Sequence, residues 1–314
     1  NKDMNNTFTE DPTPAPPGFI GLTELAPRPN VDENFDESKV TGTLKLSWFM
    51  NDQTMFYASY GTGYKAGGIN TDRTPLSVDT IFEPETAESY ELGMKAEFPE
   101  QGLRVNVALH KTDTDDLQTI SFQGGGFALD NAGTAETYGG EIDLLWMPTD
   151  NTTVTLGYAY NHAEYAEFEN GPCWTGTPWH TDLPDPGDNG AGVCDRSGGD
   201  VSSNPENVVV LSANQDFSVS DTISGFVRGE YSYTDSRMTD LNNDPEKEDG
   251  SFGLLNFRAG LFFEEWDAEL AIWGRNITDE EYTTTIADAV LQDGKYIAYY
   301  TEPATFGITA KKFF

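Results

Sequence analysis

The chain of 314 residues lacks any long hydrophobic run: its continuous apolar stretches, such as residues 208–211 (VVVL), are only a few residues long. Its mean hydropathy is −0.52. A membrane-spanning helix needs about 20 consecutive apolar residues, so the sequence excludes that way of crossing a bilayer. It does not exclude membrane-spanning strands, in which only every second residue must be apolar.

Basic residues are also scarce. The chain has 18 Lys and Arg residues against 53 Asp and Glu, for a formal net charge of −35. Nothing in it resembles the basic stripe that displaces counterions from phosphates, so we expect no nucleic-acid partner. The acidity indicates a solvated acidic surface or, alternatively, divalent cations on acidic loops. One such loop could hold calcium through Asp240, Asp244 and Glu248, although it lacks the spacing of an EF-hand.

Histidine is rare as well. The three histidines are His110, His162 and His180, none of them in a recognisable nucleophile context, and there is no G-x-S-x-G. A hydrolase with Ser/His chemistry is therefore disfavoured. We predict that the chain is not an enzyme and carries no resident cofactor.

Only two cysteines occur, Cys173 and Cys194, in a segment rich in Gly, Pro and Asp. Their spacing fits no zinc-site pattern. In an oxidising compartment a disulfide between them would close one loop and stabilise it by roughly 3 kcal/mol in the chain-entropy model. We predict a disulfide-closed external loop.

What the sequence has in abundance is alternation. From Val40 onward, segments of about ten residues alternate apolar and polar side chains and are separated by turn signals, which is the pattern of half-buried strands. In one of them, Tyr90, Leu92 and Met94 alternate with Glu91 and Lys95. We predict about eleven strands, at residues 40–48, 55–64, 88–98, 103–110, 138–146, 154–160, 207–215, 222–233, 255–263, 266–272 and 306–314.

The connections between these strands alternate between short and long. Short turns are predicted near 51–53, 99–102, 148–151, 217–221 and 264–265, and long loops near 65–87, 113–135, 161–205, 235–250 and 276–303. A soluble sandwich is not expected to sort its loops this way, whereas outer-membrane barrels have short periplasmic turns and long extracellular loops. The predicted fold is all-β: residues 40–314 form part of an antiparallel transmembrane β-barrel, and the acidic, Pro-rich residues 1–39 form an extracellular loop.

The terminal segment FGITAKKFF supports this fold. Phe306 and Phe314 fall on the same face of an extended strand. Outer-membrane barrels close with a last strand whose aromatic end lies at the membrane interface. We interpret these two residues as a barrel-closure signature.

The number of strands raises a difficulty. Eleven strands that begin and end on opposite sides cannot close as an ordinary barrel, which has an even number. Open strand edges cannot face lipid, because every unpaired backbone group would cost several kcal/mol. Either residues 1–39 contain a further strand or the chain is half of a larger barrel.

Three segments carry a resemblance to a known family: 56–70 (FYASYGTGYKAGGIN), 82–95 (FEPETAESYELGMK) and 273–282 (WGRNITDEEY). Together with the terminal Phe, they resemble the C-terminal barrel half of TonB-dependent outer-membrane receptors, in particular those for iron complexes and siderophores. The last segment is expected to form a side-chain-capped turn. The resemblance covers most of residues 40–314.

The resemblance implies a 22-stranded barrel with an N-terminal plug domain, of which this chain would be half. It implies active transport of a scarce nutrient, a ferric siderophore or similar iron complex, across the outer membrane of a Gram-negative bacterium. The expected partners are the TonB complex acting through a plug, the plug and first barrel half, lipid and lipopolysaccharide, and a small-molecule ligand. The alternatives are a receptor for cobalamin, haem or a saccharide, and a passive porin or structural barrel.

Two sets of side chains are candidates for function. Loop residues that could stack on, coordinate or pair with a ligand are Tyr165, Trp174, Trp179, His180 and Arg196. Charged residues on the inward face of the strands would line a polar lumen: Lys45, Glu91, Lys95, Arg104, Glu141, Asp143, Arg228 and Glu230. Glu97, Asp267 and Glu269 are expected on the same inward face.

Overall fold

The computed structural model describes residues 2–8, 31–70, 79–122, 127–174, 194–289 and 295–314. Eleven strands form one sheet, and their order across the sheet is their order along the chain. Every neighbouring pair is antiparallel. Among the described residues, no helix is long and apolar enough to span a membrane; the helices are three short 3-10 turns at Pro99–Gln101, Pro245–Lys247 and Glu264–Trp266.

The strands are numbered along the chain. The first ten are β1 (Lys2–Phe8), β2 (Val31–Glu37), β3 (Thr43–Asn51), β4 (Thr54–Lys65), β5 (Gly68–Ile69), β6 (Ile81–Phe82), β7 (Glu85–Phe98), β8 (Leu103–Asp115), β9 (Gln118–Phe122) and β10 (Phe127–Asn131). The others are β11 (Thr134–Thr149), β12 (Thr152–Glu167), β13 (Asn207–Ser220), β14 (Ile223–Thr234), β15 (Arg237–Met238), β16 (Glu248–Asp249), β17 (Phe252–Phe263), β18 (Ala268–Arg275), β19 (Thr283–Asp288), β20 (Tyr296–Tyr300) and β21 (Thr305–Lys312).

The large sheet consists of β3, β4, β7, β8, β11, β12, β13, β14, β17, β18 and β21. These are the eleven strands that the alternation predicts. The remaining ten strands form five two-stranded ribbons outside the sheet. In the described part of the chain, β3 and β21 are the two end strands, so this sheet is open.

The register gives the sheet one continuous apolar face. Directly paired residues share a face, and Ile142 on β11 pairs with Val107 on β8 and Tyr158 on β12. Toward the end of the chain, Ile272 on β18 pairs with Ile308 on β21. The apolar row therefore runs from strand to strand. Ile142, Ile272 and Ile308 in this row are exposed, as expected for a sheet that faces lipid.

The short and long connections lie on opposite sides of the sheet, as predicted. The short turns are tight: Gly102 adopts a left-handed conformation (φ 60°), and a Cβ there would lie 2.3 Å from the Met147 carbonyl oxygen. Asp267 also has a left-handed conformation, with φ 40°. Trp266 and Asp267 therefore belong to the last short turn. The predictions that this strand begins at residue 266 and that Asp267 faces inward are wrong.

The strands reach further on the loop side than predicted. β12 continues to Glu167 and β11 begins at Thr134, so their ladder extends beyond the predicted ends at residues 160 and 138. The reason is that polar residues above the lipid still pair through their backbones, while nothing there demands an apolar side chain at every second position. The first strand of the sheet, β3, begins at Thr43, three residues after the predicted start at Val40.

Residues 1–39 were predicted to be a loop. The described parts contain β1 and β2, which pair antiparallel over seven residue pairs. This ribbon lies outside the eleven-stranded sheet. Within the described residues 2–8 and 31–39, the segment therefore adds no strand to the sheet.

Candidate functional site: the loop side of the sheet

The long loops pack against one another through a small apolar cluster. Tyr165 is fully buried against Phe168 and Ala132, and its ring centroid lies 5.0 Å from that of Phe168. Leu117, Val201 and Leu241 cover the cluster from three different loops. Tyr165, predicted to be a loop residue, lies near the end of β12. Three loops thus share a small core with the end of this strand.

The predicted disulfide between Cys173 and Cys194 is present. Next to it, the backbones of Gly171 and Cys194 exchange two hydrogen bonds of 2.8 and 2.9 Å. The Arg196 guanidinium donates to the Pro172 carbonyl oxygen through Nε (3.0 Å) and Nη2 (2.8 Å) and lies over the Trp174 ring at 5.0 Å. The base of this loop is therefore closed by covalent, backbone and side-chain contacts together.

These contacts bear on the predicted ligand residues. Arg196 is buried and holds the loop, so its contact with a ligand would require the loop to rearrange. Tyr165 is buried too, but it lines a cavity between the loops after β8, β12 and β14. Trp174 stacks on Arg196 at the edge of the described segment. Trp179 and His180 lie outside the described residues. Ligand contact by these five side chains stays a prediction.

A second cluster, which we call the Lys247 cluster, joins the loop after β14 to the loop after β18. Lys247 has no exposed surface, and its Nζ donates to the Asp240 carboxylate (2.5 Å) and the Asp288 carboxylate (2.7 Å). Asp249 on β16 accepts from the Thr283 hydroxyl at 2.6 Å. Two loops separated by two sheet strands are thus held together by buried charge.

Tyr296 adds to the same cluster. Its hydroxyl donates to the Asp244 carboxylate at 2.9 Å. Burial, followed by this bond to a carboxylate, raises the pKa of Tyr296, so the tyrosine remains a neutral donor. Asp244 also accepts the backbone N–H of Glu246 as the cap of the 3-10 turn.

The three calcium candidates are engaged differently from what a metal site requires. Asp240 pairs with Lys247, Asp244 caps a turn and binds Tyr296, and Glu248 is exposed. Within the described ranges, no group of three or more His, Cys, Asp or Glu side chains is placed to hold a metal ion. The calcium expectation gains no support from these residues.

Between the loops after β8, β12 and β14 lies a cavity of about 390 Å³. Its lining mixes apolar side chains such as Leu129 and Val201 with polar ones such as Thr239 and Asp240. Gln118 is fixed at the rim, because its side-chain amide donates to the carbonyl oxygens of Ala66 and Glu83, both at 3.0 Å. A mixed cavity of this size suits a small molecule.

Except for Asp267, which lies in a turn, the charged residues predicted to line a lumen lie on the face opposite the apolar one. Pairing places Lys45 and Glu91 on either side of Ser59, and Asp143 opposite Asn106 on β8. The full predicted set on this inner face is Lys45, Glu91, Lys95, Glu97, Arg104, Glu141, Asp143, Arg228, Glu230 and Glu269. Arg104 pairs with Glu97 at 2.9 Å and Arg228 with Glu230 at 3.3 Å.

Two further predictions concern the C-terminal motifs. Asn276 caps its turn: its side chain accepts from the Glu280 N–H and donates to the Glu280 carbonyl oxygen, both at 2.9 Å. Phe306 lies exposed on the apolar face of β21. The strand ends at Lys312, so Phe314 follows the strand instead of completing it.

An open antiparallel sheet with one apolar and one charged face, short turns on one side and long packed loops on the other, is the architecture of an outer-membrane β-barrel. A family model described as the TonB dependent receptor-like β-barrel matches residues 6–277. The chain belongs to this family. Members lie in the outer membrane of Gram-negative bacteria, and that is the location of this protein.

Individual relatives match shorter stretches. The chain is 33% identical over 133 residues to the ferric-pyoverdine 358 receptor of Pseudomonas putida, covering 41% of this chain and 16% of that receptor. It is 28% identical over 129 residues to the vitamin B12 transporter BtuB of Vibrio vulnificus, covering 40% of this chain and 21% of BtuB.

The fold is shared with solved receptors. The ferric yersiniabactin uptake receptor FyuA of Yersinia pestis superimposes with a TM-score of 0.71 at 20% identity, over 92% of this chain and 40% of FyuA. The chain therefore spans well under half of the length of these proteins. The fold agrees with the prediction that it corresponds to part of a larger barrel.

Proposed function

We propose that the chain is the C-terminal half of the barrel of a receptor that imports a scarce nutrient with energy delivered by TonB. The observation that carries the proposal is the sheet itself. It has eleven strands, half of the number that the family resemblance implies, with an apolar face, a charged face and all long loops on one side. Its open edges at β3 and β21 would pair with the strands of the first barrel half.

The ligand that we favour is a ferric siderophore or a similar iron complex. The Pseudomonas putida relative and FyuA are both named for ferric chelates. The named alternative is a corrinoid, because the Vibrio vulnificus relative is a vitamin B12 transporter. Haem and saccharides remain further candidates, and a passive porin is the alternative outside active transport.

On this proposal the loop side captures the ligand. The cavity between the loops after β8, β12 and β14 would form part of the binding site, and Trp174 would offer a stacking surface at the base of the disulfide loop. The partners would be TonB, a plug and the first barrel half inside the protein, and lipid and lipopolysaccharide outside it.

The test is uptake by cells that carry or lack the full-length receptor. Cells are given radioactive iron as a ferric catecholate, a ferric hydroxamate or haem, or labelled cobalamin, each in a TonB-positive and a TonB-negative strain. We expect receptor-dependent iron uptake that vanishes without TonB. Receptor-dependent uptake that persists without TonB would indicate a porin. Receptor-dependent uptake of cobalamin and of no iron complex would show that the ligand is a corrinoid instead of an iron complex.

A matched pair of variants tests the loop site. Trp174→Ala should weaken surface binding of the transported complex, because it removes the stacking surface beside Arg196. Trp266→Ala, in a short turn on the other side of the sheet, should leave binding unchanged. Equal effects of both variants would contradict a binding site on the loop side.

A further inference from the structure

The inner face of the last strands gathers positive charge in a strongly acidic chain. Arg228 on β14, Arg258 on β17, Arg275 on β18 and Lys311 on β21 line one concavity of about 460 Å³. They account for four of the 18 Lys and Arg residues in the sequence. We call these four residues the lumenal basic patch.

The ion pairs of the patch leave part of its charge uncompensated. Arg228 pairs with Glu230 at 3.3 Å, and Arg258 pairs with Glu269. Among the described residues, Arg275 and Lys311 form no ion pair. Arg275 instead lies over the Trp273 ring, 5.4 Å from its centroid. The concavity therefore carries a positive surplus at the side of β18 and β21.

The opposite part of the inner face has the reverse balance. There Lys45 and Lys95 both lie over the Tyr57 ring, at 4.2 and 6.0 Å from its centroid. The carboxylates of Glu91, Glu141 and Asp143 lie on the same face. Positive charge on β3 to β12 is thus matched or exceeded by negative charge.

The chemistry of the patch fits an anion with planar or oxygen-rich groups. Guanidinium groups bind carboxylate and phenolate oxygens with a fixed fork of donors, and Trp273 holds the Arg275 guanidinium over its ring. A concavity of this volume has the size of a small-molecule site. In a low-dielectric groove, a local surplus of charge raises the concentration of the oppositely charged solute.

We propose that the lumenal basic patch is an anion-binding station on the inner wall, which the ligand occupies after it leaves the loops. The inference rests on the proposed function and deepens it: the ligand crosses the barrel as an anion. The acidic loops then do not exclude an anionic ligand, since cations on the inner wall offset them locally.

The first test needs no ligand. In the full-length receptor, the fluorescence of Trp273 is obtained as the difference between the native protein and Trp273→Phe, and its quenching by iodide is compared with quenching by neutral acrylamide. The double variant Arg275→Gln/Lys311→Gln should lower iodide quenching roughly threefold without changing acrylamide quenching. The control Lys45→Gln/Lys95→Gln removes two charges from the other part of the inner face and should change neither.

Two outcomes of this test would overturn the proposal. Unchanged iodide quenching in the double variant would mean that the patch has no anion-attracting potential. Failure of both quenchers to reach Trp273 would mean that another part of the receptor covers the patch, and its occupant would be protein.

The second test measures transport of a strongly anionic ferric tris-catecholate and an uncharged ferric tris-hydroxamate. We expect the receptor to import the anionic complex, and the double variant to import it about tenfold more slowly at unchanged surface affinity. Two results would refute the anion-binding site but leave the proposed receptor function intact. One is import of the uncharged complex alone, and the other is an unchanged import rate of the anionic complex in the double variant. Import of no iron complex would refute the proposed function, while the quenching result would still decide whether the patch attracts anions.

Discussion

In the sheet, the large apolar side chains lie in the open: Leu44 is 73% exposed and Ile308 is 74% exposed. On the loop side of it, Tyr165 at the end of β12 and Lys247 in the loop after β14 have no exposed surface at all. The sheet is held by backbone ladders and by the lipid that its apolar face contacts. The loops do not face lipid, and they are held by a disulfide, backbone hydrogen bonds and a few buried side chains.

The comparison teaches where single substitutions should act. In the sheet, a side chain matters through the face it occupies, and its neighbours along the row can be exchanged. In the loops, a side chain matters through the particular partners it contacts. Two kinds of variant distinguish these cases. In the sheet, a charge is placed on the apolar face; in the loops, one buried side chain is removed from its partners.

The largest effect is expected for Tyr165→Ala, which empties the cluster shared by three loops. Loss of a buried aromatic side chain costs about 3–5 kcal/mol. Hydrogen exchange of residues 194–206 should accelerate, while exchange of sheet strands far from Tyr165, such as β17 and β18, stays unchanged. Tyr299→Ala is the control, because Tyr299 is exposed. Protection that survives in Tyr165→Ala would show that the cluster does not hold the loops.

Next comes Ile142→Arg, which places a charge on the apolar face in the middle of β11. An Arg on the lipid face near the bilayer midplane costs roughly 2–4 kcal/mol. Asp143→Arg, one residue further on the opposite face, should change stability by less than about 0.5 kcal/mol. Reversible urea unfolding of the full-length receptor in lipid vesicles measures both. Equal costs would refute the assignment of the two faces.

Lys247→Met should loosen the junction between the loops after β14 and β18. Breaking a fully buried ion pair costs about 3–5 kcal/mol, and we expect roughly 2–3 kcal/mol here because the Asp288 side chain is 49% exposed. Hydrogen exchange should rise in both loops together. Glu248→Gln, in the same loop but exposed, is the control. A rise confined to one loop would contradict the junction.

The smallest effect concerns Asp235, in the loop after β14. Hydrogen bonds from the Asn207 amide, the Ser236 N–H and the Tyr233 hydroxyl hold the pKa of Asp235 below its usual value. A depressed carboxyl pKa contributes stability above the unfolded pKa, which is lost as pH falls through the folded pKa. At neutral pH, hydrogen exchange near residues 235–238 should therefore be faster in Asp235→Asn than in the native protein. In acid, where Asp235 is protonated, the two proteins should exchange at the same rate. If the exchange rates of variant and native protein differed equally at all pH values, the charge of the Asp235 carboxylate would not be what stabilises the loop.

Much of the sheet could be predicted from the sequence, because lipid imposes a simple rule on every strand. The alternation around Tyr90 and Ile142 marks the apolar face, and the sorted turn lengths give the topology. The strand ends were less accurate, since Glu136 on β11 and Glu164 on β12 pair above the lipid, where the rule no longer applies. The end of β21 at Lys312 was missed for a related reason: alternation in sequence does not guarantee a pairing partner.

The loop side could be predicted only in part. The disulfide follows from a simple count of two cysteines. Nothing local marks Lys247 as buried, because its partners Asp240 and Asp288 are 7 and 41 residues away. Calcium on the acidic loop stays a prediction, and one of its three candidate ligands, Asp240, pairs with Lys247 of the same loop.

The neighbour-to-neighbour order of the eleven strands has a consequence for how such proteins diversify. Each strand pairs only with the one before it and the one after it in the sheet, so lengthening a loop on one side shifts no other pairing. The short turns have no such freedom, as the contact of Gly102 with Met147 shows. Selection can therefore rewrite one end of the molecule repeatedly for new ligands while the opposite end and the wall between them stay fixed.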